Sequence, residues 1–266
     1  MKNNLNIVFF GTPDFAMPVL DALIKNGYNV SHFQKKSLKD EAVFEEFKDL
    51  KPDLCVVAAY GKLLPARYLD VPKFGFVNVH PSLLPKYRGP SPIQTAILNG
   101  DEETGATIMV VDEEMDHGPT LGSIKYQIPD TKNNPEISRE LFELGAELLV
   151  KTLPGYINGE LKPKEQDHGQ ATFTKMFTRK DGRINWADPA QEIYNRIRAL
   201  NPEPGTWTLL RSSGASEGQA KIINIKKAEL VNEKLQIQII QMEGKKEMPF
   251  EEFLRGQPSF DISQLK

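Results

Sequence analysis

Short apolar runs alternate with amphipathic stretches through the first half of the chain. The runs at Asn6–Phe10 and Asp53–Ala59 are almost continuously apolar, which predicts strands that helices cover on both faces. Between them, apolar residues recur at helical spacing. We expect one helix with Thr12 as its cap and Pro13 at its first position, and another that starts at Ser37 and Asp40. This alternation indicates an α/β fold with a doubly wound, mostly parallel, Rossmann-like sheet.

The alternation continues to about residue 154. A long helix is expected to begin at Asn134-Pro135 and to stop at Pro154, because proline interrupts helical hydrogen bonding. The other elements predicted in this region are strands at Phe76–His80, Ala106–Val111 and Ser123–Ile128 and a helix from Ser91 to Gly100.

The pattern changes after Pro154, where a polar stretch rich in glycine and proline indicates a linker. A helix opened by Asp188-Pro189 and several short strand candidates then predict a small β-rich domain. These strand candidates are Thr206–Leu210, Ala220–Ile225 and Leu235–Gln241. The predicted organisation is a first domain over residues 1–154, a linker over 155–174 and a second domain over 175–266.

Composition limits the class of protein. The chain has one cysteine, Cys55, in an apolar strand, so we expect a core residue and no disulfide within the chain. No run is long and apolar enough to span a membrane, and we expect a cytoplasmic monomer. The net charge is -3, but residues 171–266 carry 15 Lys and Arg against 12 Asp and Glu. A mildly basic tail is compatible with a nucleic-acid partner.

Two polar side chains interrupt the predicted strand Phe76–His80. Because alternate side chains on a strand share a face, Asn78 and His80 point the same way, while Val77 and Val79 point into the opposite layer. The pair lies at the carboxyl end of its strand, the edge where open parallel sheets bind ligands. The next stretch, "PSLLPKYRGPSP", is rich in proline, so this loop is expected to be stiff.

A carboxylate completes a candidate catalytic trio. Asp116 follows a predicted strand, in a turn made by His117-Gly118-Pro119. An amide donor, an imidazole in its cationic form and an orienting carboxylate can together stabilise an oxyanion and move a proton. The simpler interpretation is that His80 is a strand-end hydrogen-bonding residue and that Asn78 serves only the turn.

Two other kinds of site are not expected. His32, His117 and His168 lack metal-ligand spacing, so the sequence predicts no metal. The stretch "GTPDFA" at Gly11–Ala16 is a glycine turn before a helix, but it lacks the G-x-G-x-x-G pattern of a dinucleotide site.

Long, ordered motifs carry a specific resemblance. Asn78–Leu121 resembles the catalytic core of the folate-dependent formyltransferases. "VFFGTPDFAMPVLDAL", "VVAAYGKLLP", "RALNPEPGTW", "TKMFTRKDGRINWADPAQEIYNRI" and "EGKKEMPFEEFLRG" resemble, within that family, the enzymes that formylate methionyl-tRNA. The resemblance covers nearly the whole chain. It implies an α/β formyl-transfer domain that a linker joins to a small OB-like domain.

The resemblance also implies an activity and its residues. A formyl group would pass from 10-formyltetrahydrofolate to the α-amine of methionyl-initiator tRNA, for translation initiation, without a metal. Asn78, His80 and Asp116 would be the catalytic trio. The folate site would be formed by Ser82, Leu83, Leu84, Pro85, Tyr60, Gly61, Lys62, Leu63 and Asp112. The residues that approach tRNA phosphates would be Lys175, Arg179, Lys180, Arg196 and Arg198.

The chain departs from the family pattern by being shorter. Between Val30 and Leu38 the family has a further strand, a basic loop and a helix, whereas this chain has only "SHFQKKS". A smaller sheet at one edge and a reduced tRNA surface are therefore expected. Two alternatives remain open: a formyltransferase with the same core that acts on a sugar amine or another small amine, and a non-catalytic paralogue that binds folate or RNA.

Overall fold

The computed structural model describes residues 5–35, 37–210 and 221–256, and the chain divides into two compact units. The first unit consists of Met1–Pro92, Glu103–Ile128 and Pro135–Lys175. The second consists of Ile93–Glu102, Pro129–Asn134 and Met176–Lys266. The predicted linker, residues 155–174, lies within the first unit, and two short segments from the first 154 residues belong to the second.

Among the described residues, the first unit contains a six-stranded sheet. Its strands are β1 (Asn6–Gly11), β2 (Asn29–His32), β3 (Leu54–Ala58), β4 (Phe76–His80), β5 (Glu103–Val110) and β6 (Thr120–Gln127). Their spatial order is β2-β1-β3-β4-β5-β6. The first four strands in this order pair in parallel, whereas β5 and β6 are antiparallel to their neighbours. The predicted α/β fold with a mostly parallel sheet is confirmed.

The described residues of the two units contain seven α-helices. In chain order, they are α1 (Met17–Lys25), α2 (Glu41–Asp49), α3 (Ala66–Leu69), α4 (Pro92–Leu98), α5 (Asn134–Ile157), α6 (Ala190–Leu200) and α7 (Phe250–Arg255). The start of α2 was predicted correctly at Asp40, whose side chain accepts a hydrogen bond from the backbone N–H of Ala42 at 3.0 Å.

The predicted start of the first helix is wrong. A single 3₁₀ turn spans Asp14–Ala16, and α1 begins only at Met17 with Pro18 in its first turn. No side chain caps this helix, so Thr12 does not have the predicted role. Proline is tolerated in the first turn because the N–H that it lacks would have no helical partner there. The second proline, Pro18, therefore marks the start more closely than Pro13 does.

The predicted end of the long helix is also wrong, because α5 continues through Pro154 to Ile157. The last turn is closed by the backbone N–H of Asn158, which donates to the Pro154 carbonyl at 3.0 Å. The hydroxyl of Tyr156 donates to the carbonyl of Phe74 at 3.0 Å and attaches this turn to the sheet. Tertiary contacts thus offset the one hydrogen bond that proline removes from a helix.

Apolar side chains pack on both faces of the sheet. Val77 and Val79 lie on one face with Phe142 of α5, and Phe10 and Cys55 lie on the other, where Cys55 is buried as predicted. Burial raises the pKa of the Cys55 thiol, as expected for a core cysteine. The opposite placement of Val77 and Val79 leaves Asn78 and His80 on the Phe10 side of β4.

The edge of the sheet at β2 is connected to α2 by a short segment. Phe33 is 3% exposed and Leu38 is 4% exposed, and both pack in the aromatic cluster around Phe10. The shortened connection is therefore packed against the core through two apolar anchors.

The second unit is built around an antiparallel four-stranded sheet in the order β10-β9-β8-β7. Its strands are β7 (Thr206–Leu210), β8 (Lys221–Val231), β9 (Lys234–Met242) and β10 (Glu247–Pro249). Ile193 and Ile197 of α6 pack with Ile223, Ile225 and Ile240 of the sheet to form its core. The predicted small β-rich second region is confirmed. Over the described ranges, the structure has no helix long and apolar enough to cross a bilayer.

Candidate active site

The candidate site is built on β4, whose last residues alternate between the two faces of the sheet. His80 is 4% exposed, and Asn78 is half-buried on the same face. β4 lies between β3 and β5 in the middle of the sheet, and the register pairs His80 with Thr107. A central strand fixes the backbone of both residues, so their side chains have a rigid base.

One nitrogen of the His80 ring already makes a hydrogen bond within the protein. Its Nε2 lies 2.9 Å from the backbone carbonyl oxygen of Tyr87. A carbonyl oxygen only accepts hydrogen bonds, so Nε2 carries a hydrogen and donates it. The free side of the ring is therefore Nδ1, which faces Asp116. This assigns the tautomer of a neutral His80 and identifies Nδ1 as the atom available for chemistry.

The carboxylate of Asp116 meets both polar side chains of β4. Its Oδ1 lies 3.5 Å from Nδ1 of His80 and 3.4 Å from Nδ2 of Asn78. Its Oδ2 accepts a hydrogen bond from the backbone N–H of Gly89 at 2.7 Å. The two contacts of Oδ1 are long for hydrogen bonds, whereas the contact of Oδ2 is short and charge-assisted. The carboxylate is thus held at Oδ2 by Gly89, while two polar side chains, those of Asn78 and His80, face Oδ1.

The backbone of Asp116 is in a sparsely populated conformation. Its φ is 50°, in the left-handed region that non-glycine residues rarely occupy. Such a conformation persists only where neighbouring contacts determine it. Here the side chain of Gln166 donates to the Asp116 carbonyl oxygen at 2.9 Å, in addition to the contact from Gly89.

The loop after β4, which contains the predicted folate residues Ser82, Leu83, Leu84 and Pro85, is fastened to β5. The hydroxyl of Thr107 donates to the Ser82 carbonyl at 2.7 Å and accepts from the Leu84 N–H at 3.2 Å. The Ser82 hydroxyl donates to the Lys86 carbonyl at 2.6 Å. The serine side chain therefore braces the loop, and Thr107 fastens it to β5.

The other predicted folate residues lie on two further loops. The chain turns sharply after β3, where Ala59 and Gly61 have positive φ, and it leaves Leu63 77% exposed. Tyr60 is buried and Lys62 is exposed, with its ammonium 5.1 Å above the Tyr60 ring. In the third loop, Asp112 is held by Nδ1 of His117 at 2.7 Å.

The structure corrects the prediction for one of the proposed tRNA contacts, Arg198. Arg198 is 6% exposed, and its guanidinium donates to the backbone carbonyls of Pro129 and Lys132 at 2.9 and 3.2 Å. Burial lowers the pKa of the Arg198 guanidinium, while Asp130 nearby acts in the opposite direction. Arg198 is therefore a structural residue that holds the segment Pro129–Asn134 to α6, and it is removed from the predicted tRNA contacts.

Arg196 is also largely engaged within its unit. Its guanidinium donates to the Asp181 carbonyl at 2.9 Å and lies 3.7 Å from the Asp188 carboxylate. Lys175, Arg179 and Lys180 are exposed. The Arg179 guanidinium is also engaged, because it donates to the Asn224 side chain and to the Pro204 carbonyl and lies 5.6 Å above the ring of Trp207. A second cation, that of Arg183, lies 5.7 Å from the same ring and is not among the residues predicted from the sequence.

Two further residues beside the trio were not identified from the sequence. Arg88 is 3% exposed and Gln166 is 7% exposed, and they bond to each other. Arg88 stands in the proline-rich loop and Gln166 in the polar stretch predicted to be a linker. A long-range contact between two loops leaves no periodic signal in a sequence. Across the ranges described here, no group of three or more His, Cys, Asp or Glu side chains is arranged to hold a metal ion.

Comparison with known proteins follows the division of the chain. Residues 14–153 match the formyl transferase family model, and residues 176–258 match the model of the formyl transferase C-terminal domain. The methionyl-tRNA formyltransferase of Bacillus velezensis is 38% identical over 298 aligned positions, which cover 94% of each chain. The chain belongs to the methionyl-tRNA formyltransferase family. The resemblance noted in the sequence is thereby confirmed.

A second relative from this family matches more strongly over a shorter span. The methionyl-tRNA formyltransferase of Roseiflexus sp. (strain RS-1) is 45% identical over 213 residues, which are 80% of this chain but 65% of that relative. The 298-position alignment with the Bacillus velezensis relative is longer than the 266 residues of this chain, so it contains gaps in this chain. Both results agree with a shortened member of the family.

The same fold occurs in a solved structure of lower sequence similarity. HypX from Aquifex aeolicus, in complex with tetrahydrofolic acid, superposes with a TM-score of 0.76 at 17% identity. The match covers 100% of this chain and 51% of HypX. At this level of identity, the match concerns the fold alone.

Proposed function

We propose that this protein transfers a formyl group from 10-formyltetrahydrofolate to the α-amine of methionyl-initiator tRNA. The observation that carries the proposal is the convergence of Asn78, His80 and Asp116 around one carboxylate oxygen, within 3.5 Å, in a chain of this family. The relatives at 38% and 45% identity both have the name of that activity. The product, formylmethionyl-tRNA, would serve translation initiation.

The reaction needs an oxyanion to be stabilised. When the α-amine attacks the formyl carbon, the carbonyl oxygen becomes an oxyanion in a tetrahedral intermediate. The Asn78 amide supplies an N–H for this oxygen, and Nδ1 of His80 supplies a second when it carries a proton. Both groups are on a central strand and need little rearrangement to act. Loss of one such donor typically costs about 10²–10³ in rate.

The reaction also moves one proton. The bond from the formyl carbon to the α-nitrogen forms, the bond from that carbon to N10 of the folate breaks, and a proton passes from the amine to N10. Asp116 is the carboxylate that faces both the amide and the imidazole, and Gly89 holds only its Oδ2, which leaves Oδ1 directed at these two groups. Acid–base assistance of this kind contributes about 10²–10⁴-fold.

The proposed site of the folate donor lies on the three loops at this edge of the sheet. We infer that the loop Ser82–Pro85 and the backbone at Tyr60–Leu63 and Asp112–Asp116 bind the pterin ring, because backbone N–H and C=O groups recognise its polar edge. HypX, whose structure contains tetrahydrofolic acid, shares the fold and supports a folate site in this architecture. The rigid Ser82–Pro85 loop would bind the ring with little loss of conformational entropy.

The tRNA is proposed to contact exposed cations of the second half of the chain. Lys175, Arg179 and Lys180 are exposed, and Arg183 and Trp207 form a cation–aromatic group with Arg179. Lysine and arginine neutralise phosphates and release counterions, so the affinity for tRNA should fall steeply with salt.

A formylation assay tests the proposal. The protein is incubated with 10-formyltetrahydrofolate and either methionyl-initiator tRNA or methionyl-elongator tRNA, and formylated product is separated by acid gel electrophoresis. We expect product with the initiator tRNA, much less with the elongator, and none when the formyl donor is omitted. Formylation of an amino sugar instead of tRNA would favour a small-amine enzyme. Folate binding without turnover would favour a non-catalytic paralogue.

A further inference from the structure

The strap, defined as residues 164–174, crosses the first unit beside the candidate site. At one end, Lys164 and Thr120 exchange backbone hydrogen bonds of 2.7 and 2.8 Å. At the other end, Arg88 donates its N–H to the Thr172 carbonyl at 2.8 Å and accepts from the Thr174 N–H at 2.7 Å. The strap is therefore fixed to β6 on one side and to the proline-rich loop on the other.

The side chain of Gln166 points inward from the strap and uses its complete hydrogen-bonding capacity. Its amide nitrogen donates to the carbonyls of Asp116 and Gly118 at 2.9 and 2.7 Å. Its amide oxygen accepts from Nε and a terminal nitrogen of Arg88 at 3.1 and 2.7 Å. Arginine only donates and carbonyls only accept, so the orientation of this amide is unambiguous.

The two carbonyls held by Gln166 bracket the turn that presents the Asp116 carboxylate. Asp116 has a φ of 50°, and Gly118 passes so close to β5 that a Cβ there would lie 2.0 Å from the Val110 carbonyl oxygen. A turn with these constraints needs partners for its backbone, because a strained conformation persists only where its surroundings determine it. Gln166 is the side chain that supplies two of these contacts.

We propose that Gln166 is a positioning residue: through the Asp116 and Gly118 carbonyls, it holds the Asp116 carboxylate in contact with Asn78 and His80. Arg88 acts behind it by fixing the orientation of the amide. This inference rests on the proposed function, since it assigns Gln166 a part in the same site. A network that is buried and fully satisfied is costly to disturb, which is why a single atom change should have a measurable effect.

The experiment compares Gln166→Glu with Gln170→Glu, the same chemical change in the same strap. Glutamate keeps the length and can still accept from Arg88, but a carboxylate cannot donate to the two carbonyls. Gln170 is exposed, and its side-chain amide donates to the Asp167 carboxylate at 2.6 Å, away from Asp116 and Gly118, so it is a matched control. A displacement of about 1 Å in a catalytic group can cost up to about 10²-fold. We therefore expect kcat for Q166E to fall about 10- to 100-fold.

Three readouts separate positioning from general structural damage. The KM for the tRNA should stay within about 3-fold of wild type, since the backbone that Gln166 holds belongs to the proposed folate site and not to the proposed tRNA surface. In an Asp116→Ala background, Q166E should cause little further loss, because its effect passes through Asp116. A crystal structure of Q166E should show Oδ1 of Asp116 moved away from Nδ1 of His80.

Several results would overturn the inference. They are a kcat for Q166E within 2-fold of wild type, an equal loss in the Asp116→Ala background, and an unmoved Asp116 in the crystal structure. If Q166E does not fold, Gln166→Met is measured under the same criteria, and if neither variant folds, Gln166 is a stability residue and the inference fails. An inactive wild-type protein would instead contradict the proposed function, and the crystallographic readout would still decide the role of Gln166.

Discussion

The Asp116 carboxylate accepts a hydrogen bond of 2.7 Å from the backbone N–H of Gly89. This contact immobilises one oxygen of the carboxylate and leaves the other to face Asn78 and His80. Gly89 itself has a φ of 108°, a value that essentially only glycine adopts, and a Cβ there would lie 2.8 Å from Oγ1 of Thr174. The role proposed for Asp116 therefore depends also on the backbone of the proline-rich loop, which holds one oxygen of its carboxylate.

Asp116→Asn removes the negative charge of the side chain but nearly keeps its shape, so it tests whether the reaction needs the carboxylate. The asparagine oxygen can still accept from Gly89, but its NH₂ group then faces Asn78 and His80, where an acceptor is needed. We expect kcat to fall about 10²–10⁴-fold, as for loss of acid–base assistance, with folding retained. Steady-state kinetics and circular dichroism test this. Asp112→Asn is the comparison from the same loop, with an expected effect mainly on the KM for the folate donor. Near-normal kcat in D116N would contradict the proton-transfer role.

Gly145 is expected to be essential for packing α5 on the sheet. A Cβ at this position would lie 2.4 Å from a methyl carbon of Val79, which is buried and β-branched. Alanine gains about 1 kcal/mol of helix propensity over glycine, but overpacking a core costs about 1–3 kcal/mol. We expect Gly145→Ala to lower the free energy of unfolding in urea, whereas Gly122→Ala, whose Cβ meets nothing closer than 3.5 Å, should change it less. A stabilised G145A would contradict the packing described here.

Arg198 and Lys180 should give opposite phenotypes. Arg198→Met leaves the half-buried carbonyls of Pro129 and Lys132 without this donor, so it should destabilise the protein by about 1–3 kcal/mol. Lys180 is exposed, and Lys180→Ala should leave stability nearly unchanged. It should instead weaken tRNA binding and reduce the slope of log affinity against log salt by about 1. Urea unfolding measures the expected loss of stability in Arg198→Met, and tRNA titrations at several salt concentrations measure the expected loss of binding in Lys180→Ala. The reversed pattern would restore Arg198 as a tRNA contact.

Tyr126 should make the stability depend on pH at alkaline values. Burial and the hydrogen bond to Glu140, 2.6 Å from the hydroxyl, raise the pKa of Tyr126. In the unfolded chain this group ionises near pH 10, while the folded state keeps it neutral. The contribution of the neutral Tyr126 hydroxyl to the free energy of unfolding is therefore complete below about pH 10 and is lost as the pH rises further. The advantage of wild type over Tyr126→Phe in unfolding free energy should shrink between pH 9 and about pH 11. A constant difference across that range would show that the pKa is not raised.

The sequence predicted those features that are local or periodic. The strand Phe76–His80 has the bounds that were expected, and its alternation placed Asn78 and His80 on one face, as the structure does. Cys55 was recognised as a core residue because it stands in a continuous apolar run. The alternation of strands and helices predicts the mostly parallel sheet, but it does not predict that β5 pairs antiparallel with both β4 and β6.

What the sequence did not reveal depends on contacts between distant segments. The sequence predicts a helix end at Pro154, because the hydrogen bond from Tyr156 to Phe74 that holds the last turn of α5 has no local signature. Arg198 has the composition of a surface cation, and only the backbone carbonyls around it show that it is structural. Gln166 was hidden in a stretch whose glycine and proline content is typical of a linker.

The measurement that tests the central claim most directly is the single-turnover rate of formyl transfer to methionyl-initiator tRNA by His80→Ala, compared with wild type at saturating 10-formyltetrahydrofolate. If Asn78, His80 and Asp116 act together on the formyl group, the rate should fall at least about 10²-fold while the variant remains folded. A rate within 2-fold of wild type would show that formyl transfer does not depend on this site.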